Sequence, residues 1–183
     1  MRKIVCLLAV IAVACVVVTP ALATPAKGAW GVGYHGQDFP LGVRMWLSEK
    51  VALDLGLGFS SDPFNATGDN KTTWGLEVGA PIVMAGAGDE TRFFIRPGIE
   101  YRSIPNPIVG GPNANPDNDE TAFGITGQLG VEHWFGRRFS LQVADGIAFY
   151  NVDPGVGGSH TVFQTQAFGI SNIGFHYYFG GGK

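Results

Sequence analysis

Apolar residues recur at every second position along most of this chain, and the longest such run is Thr121 to Phe135. Thr121, Phe123, Ile125, Gly127, Leu129, Val131, His133 and Phe135 fall on one side of the alternation; Ala122, Gly124, Thr126, Gln128, Gly130, Glu132 and Trp134 fall on the other. Strand side chains point to opposite faces in turn, so the run predicts a strand with one apolar face and one small or polar face. At fifteen residues it exceeds the usual strand of about five or six. A strand that crosses a bilayer at a tilt needs about 9–11 residues in hydrocarbon, with its apolar side chains outward.

Seven further segments repeat the design. Ala29 to His35 sets Trp30, Val32 and Tyr34 against Gly31 and Gly33. A turn at 36–40 leads to Leu41, Val43, Met45 and Leu47, alternating with Gly42, Arg44, Trp46 and Ser48. After a tight turn at 48–50, Val51, Leu53, Leu55, Leu57 and Phe59 oppose Ala52, Asp54, Gly56, Gly58 and Ser60. A polar loop, 61–71, precedes Trp74, Leu76, Val78, Ala80, Ile82 and Met84, set against Gly75, Glu77, Gly79 and Pro81. The fifth segment sets Phe93, Ile95, Ile99 and Tyr101 against Arg92, Arg96, Gly98, Glu100 and Arg102. Within it Pro97, which lacks an N–H, predicts a bulge or locally weak pairing. The seventh sets Phe139, Leu141, Val143, Ile147 and Phe149 against Ser140, Gln142, Ala144, Gly146 and Ala148, and the eighth ends in Phe175, Tyr177 and Phe179.

Connections after segments two, four and six are tight, whereas 61–71, 105–120 and 151–160 are long and polar. That rhythm predicts an all-β fold, an eight-stranded antiparallel up-and-down transmembrane β-barrel with short turns on one rim and long loops on the other. The parity predicts two aromatic girdles: Phe59, Trp74, Tyr101, Phe123 and Phe149 near the long-loop ends, and Phe93, Phe135, Phe139 and Phe179 at the other. It also gathers Arg44, Asp54, Glu77, Arg96, Glu100, Arg102, Gln128, Glu132 and Gln142 on the opposite face. Facing lipid, those charges would together cost several kcal/mol. Facing a narrow interior, they can pair as a packed polar network. Two places resist: Asp145 has the apolar parity in mid-strand, and the apolar side switches between Phe168–Ile170 and Ile173, which predicts a bulge near Ser171–Asn172.

The first residues follow another logic. Arg2 and Lys3 precede an uncharged apolar run, Ile4 to Val18, and Ala21-Leu22-Ala23 has small residues where signal peptidase needs them. Residues 1–23 are expected to be a cleaved secretory signal, with cleavage between Ala23 and Thr24, leaving 24–183 as one barrel domain. Cys6 and Cys15 both lie in the leader, so no disulfide is expected. Removal of Arg2 and Lys3 leaves 10 basic against 15 acidic residues, a net −5. No basic patch or tail is present, which argues against nucleic-acid binding.

The signal, the amphipathic segments, the girdles and the terminal Phe175-x-Tyr177-x-Phe179 together resemble the small outer-membrane β-barrel proteins of Gram-negative bacteria, the superfamily of the OmpA transmembrane domain and opacity-type proteins. The resemblance covers 24–183. It implies location in the bacterial outer membrane, contact with outer-membrane lipid, and recognition of the C-terminal strand by the barrel-assembly machinery.

Other motifs point less far. Gly31-Val-Gly33-Tyr-His-Gly36 matches a dinucleotide fingerprint, but no helix pattern follows it. Asn113, Asn115, Asp117 and Asp119 alternate like calcium ligands, yet Pro116 interrupts them and the EF-hand glycine and late glutamate are missing. His35, His133, His160 and His176 lack metal-ligand spacing, and Ser159-His160 has no third catalytic partner in view. The expectation is a monomeric, non-enzymatic barrel without cofactor, with a structural or surface-interaction role carried by its long loops and an unknown extracellular partner there. A narrow channel and a soluble lipocalin-like barrel are the alternatives; the latter requires apolar residues inside.

Overall fold

A computed structural model of the chain describes residues 27–62, 71–104, 119–154, 157–165 and 173–180. Within them the protein is all-β, a closed eight-stranded antiparallel barrel with up-and-down connections. The first three staves are β1 (Trp30–Tyr34), β2 (Leu41–Trp46) and β3 (Ala52–Asp62). The fourth is broken into β4 (Lys71–Gly79) and β5 (Ile82–Ala87). Then come β6 (Thr91–Ile104), β7 (Glu120–Trp134) and β8 (Phe139–Asp153), and a last stave divided into β9 (His160–Thr165) and β10 (Ile173–Phe179). β10 closes the barrel by pairing with β8 (Ile173↔Val143) and with β1 (Trp30↔Phe179). The wall is uneven: β7 and β8 have 15 residues each and β1 has five, so the β6–β9 side stands taller at the long-loop end.

The β6–β7 ladder runs in one register from Thr91↔His133 through Pro97↔Gly127 to Ile104↔Glu120, so no bulge forms at Pro97. The interruption lies on the neighbouring stave, where β4 stops before Ala80–Pro81 and Ala80 N still donates to Pro97 O at 2.9 Å. The described bulge of that stave is at Met84, between Val83↔Phe94 and Ala85↔Phe93.

Ser171 and Asn172, where a bulge is expected, lie outside the described residues, as do Phe168 and Ile170. On either side of them Thr165 pairs with Ile147 and Ile173 with Val143, and Phe163 and Phe175 share one outward parity. Asp145 lies in β8, exposed on the outward face, and its Oδ1 accepts the Gly146 N–H at 2.7 Å.

The inward glycines are places where large side chains from neighbouring strands lie flat. A Cβ at Gly130 would collide with the Phe94 ring, and one at Gly79 would collide with the Arg96 guanidinium. Gly56, Gly58 and Gly75 make room for a feature with no periodic signal. Residues 35–40, between β1 and β2, fold into the barrel, burying His35 and Phe39; a Cβ at Gly58 would strike the Asp38 carbonyl, and one at Gly75 would lie 2.8 Å from the Phe39 ring.

Candidate functional site

The interior is layered along the barrel axis. Its centre is Arg44, fully buried on β2. Arg44 forks onto Asp54 of β3, with Nε donating to Oδ1 at 2.6 Å and Nη2 to Oδ2 at 2.7 Å. It also donates to Glu132 Oε1 at 3.0 Å and Gln142 Oε1 at 2.7 Å, tying four staves together. Register explains the fork: Arg44 and Asp54 are directly paired across β2 and β3. Arg96 of β6 shares Asp54, with Nε 3.0 Å from Oδ2, and donates to Glu77 and to Gln128 Oε1. His35 Nε2 lies 2.7 Å from Arg96 Nη2 and 3.1 Å from Glu77 Oε2, so the infolded segment closes this layer. Glu132 receives Ser140 Oγ at 2.6 Å and Tyr178 OH at 3.1 Å.

Toward the short-turn end the interior becomes aromatic. Trp134 and Tyr178 lie 4.4 Å apart and Trp46 is 6.3 Å from Trp134, packed with Ala29 and Ala52. Toward the long-loop end, Arg102 pairs with Glu100 and with Asp38 Oδ2 at 2.9 Å, and its guanidinium lies over the rings of Phe39 and Tyr150. Tyr150 OH donates to Glu100. Above this floor are two cavities of about 210 and 230 Å³ that share Arg102 and Ile104 as lining; the second adds Ala122, Val152 and Val162.

Of the nine residues assigned to the interior by parity, Arg44, Asp54, Glu77, Arg96, Glu100, Gln128, Glu132 and Gln142 are buried, and Arg102 is half-buried at the floor of the mouth. Ser140 has the inward parity, as do Tyr150, Tyr178 and His176, which lies edge-on to His35 at 5.9 Å, but none of them is among those nine. Parity says nothing of the infolded His35, Asp38 and Phe39; the signal for them is the cluster of inward glycines on β3 and β4, which leaves room no local side chain fills.

The outward face carries the opposite chemistry. Ile125 is 61% exposed and Leu129 70%. Phe59, Trp74, Tyr101, Phe123 and Phe149 face outward toward the long-loop end, with Phe59↔Trp74 and Tyr101↔Phe123 in register and Phe163 added 4.8 Å from Phe149. Phe93, Phe135, Phe139 and Phe179 face outward at the other end, joined by Trp30, which stacks on Phe179 at 4.9 Å. Ala23 and Thr24 lie outside the described residues, as do Asn113, Asn115 and Asp117. Asp119 is exposed, and among the described residues no three His, Cys, Asp or Glu side chains gather as a metal site. Gly31 and Gly33 lie within β1, which is followed by a strand, so the dinucleotide geometry is not formed. Ser159 and His160 are both exposed.

Chemically, each of the interior acids Asp54, Glu77, Glu100 and Glu132 meets one of three arginines, Arg44, Arg96 and Arg102. Comparison with protein-family models, with curated proteins and with solved structures finds no match.

Proposed function

We propose that this protein is an integral β-barrel of the bacterial outer membrane, a monomeric scaffold whose long loops carry a structural or surface-interaction role. The observation that carries the reading is the inversion of its two faces. Charge is concentrated inside, while Leu, Ile, Val and Phe cover the outside between two aromatic rows. A water-soluble binding barrel has the reverse need, an apolar interior and a solvated exterior. The exposed apolar surface far exceeds the few hundred Å² of a typical soluble monomer, and lipid is the solvent that suits it. The leader-like first residues and the C-terminal aromatic strand support the same reading from the sequence.

A scaffold role is favoured over a channel by Trp46, Trp134 and Tyr178, which occupy the short-turn end of the interior. The test is electrophoresis of the detergent-refolded chain with and without boiling, beside fractionation of the envelope. A compact unboiled band and outer-membrane location are expected. Identical migration, with solubility in the absence of detergent, would overturn the reading.

A further inference from the structure

The two rims differ in charge. At the short-turn end stand Lys27, Lys50, Arg92, Arg137 and Arg138 against Glu49, Asp89 and Glu90, a net +2. Among the described residues the long-loop end holds Asp38, Asp62, Asp119, Glu120 and Asp153 against Lys71 and Arg102, a net −3. Within the basic rim one place joins cations to an apolar wall. Gly136, at φ 80°, turns β7 into β8, and the turn projects Arg137 and Arg138 into solvent. The turn is fastened to the last stave, because Tyr178 N donates to Arg138 O at 2.7 Å. Arg138 Nη1 reaches Tyr177 OH at 3.4 Å. Phe139 lies between Phe135 and Phe175, at 5.9 and 6.1 Å, on the outward face directly above.

We propose that Arg137, Arg138 and Tyr177 bind the phosphate of an anionic phospholipid, with its acyl chains along Phe135, Phe139 and Phe175, so that the short-turn rim is seated on an anionic leaflet. The proposal rests on the membrane reading. A guanidinium matches phosphate oxygens in charge and in fork geometry, two exposed arginines follow one another in this turn, and a tyrosine hydroxyl suits the border between apolar and wet zones. The acidic opposite rim has no comparable attraction for that headgroup, so the device also orients the barrel. Two cations near an anionic surface give about a thirtyfold preference over a zwitterionic lipid at low salt.

The test uses the chain refolded into phosphatidylcholine vesicles containing a minor share of either brominated phosphatidylglycerol or brominated phosphatidylcholine. Trp30 is the reporter, outward at this rim, in a Trp74→Phe background that removes the other outward tryptophan among the described residues. Brominated phosphatidylglycerol should compete for Trp30 quenching about thirtyfold better than the brominated neutral lipid. The preference should fall toward unity in Arg137→Gln/Arg138→Gln and in high salt, and persist in Lys50→Gln on the neighbouring turn. Equal quenching by both lipids, or an undiminished preference in the double variant, would overturn the proposal while leaving the membrane reading standing. Absence of quenching by either lipid, with no vesicle association, would overturn both.

Discussion

Replacing Arg44 by methionine removes the cation from the centre of the interior while keeping an unbranched side chain of similar reach. Four hydrogen bonds go: two to Asp54, one to Glu132 and one to Gln142. The acceptors are not wholly abandoned, since Asp54 keeps Arg96 and Glu132 keeps Ser140 and Tyr178. Breaking a buried pair by removing one partner costs about 3–5 kcal/mol, and the remaining partners place this variant near the lower figure, about 3 kcal/mol. Asp54→Asn should cost a comparable amount, because it weakens bonds from both Arg44 and Arg96. The double variant should fall short of the sum by about 2 kcal/mol, the coupling expected of residues in one network. The assay is urea unfolding in detergent micelles, followed by the fluorescence of the buried Trp46 and Trp134. A change below about 1 kcal/mol for Arg44→Met, with additive singles, would mean that water screens the interior charges and that the network does not hold the barrel.

Glycine substitutions separate the infolded segment from the ordinary wall. Gly58→Ala drives a methyl group into the Asp38 carbonyl and should cost about 1–3 kcal/mol in the same unfolding assay, whereas Gly127→Ala meets nothing within 4 Å and should stay within about 0.5 kcal/mol. Asp145→Leu removes the one acidic side chain of outward parity in mid-strand, and in vesicles it should raise stability by about 1 kcal/mol even after losing the bond to Gly146 N; a loss of stability there would place Asp145 in water. Liposomes carrying the wild-type barrel should exclude small sugars in a swelling assay, because the Trp46–Trp134–Tyr178 layer fills the interior, and Trp46→Ala/Trp134→Ala should swell faster.

The barrel was legible because a period of two over eight segments leaves few alternatives: alternation sets the faces, and loop length sets the connections. Arg44, Asp54 and Arg96 could be grouped from parity because a strand's inward set is known before its partners are. Two kinds of information were not legible. Segment 35–40 has no period, so its return into the barrel is written in Gly56, Gly58 and Gly75 on other strands, where only the three-dimensional neighbour gives the absence of a side chain its meaning. Register is the second. Pro97 predicts a bulge or locally weak pairing; the β6–β7 ladder passes it without a bulge, and the weak pairing falls on its other side, where β4 and β5 break at Ala80–Pro81 opposite it.

The central claim is that the outward face meets lipid, and β7 tests it most directly. Single cysteines at Phe123, Ile125, Leu129 and Val131, spin-labelled in residues 24–183 refolded into phospholipid vesicles, would be probed with oxygen and with a water-soluble nickel relaxant. The account predicts strong relaxation by oxygen and little by nickel, with the contrast greatest at Ile125 and Leu129. Relaxation by nickel at those two positions, or a chain that remains in the aqueous fraction, would contradict it.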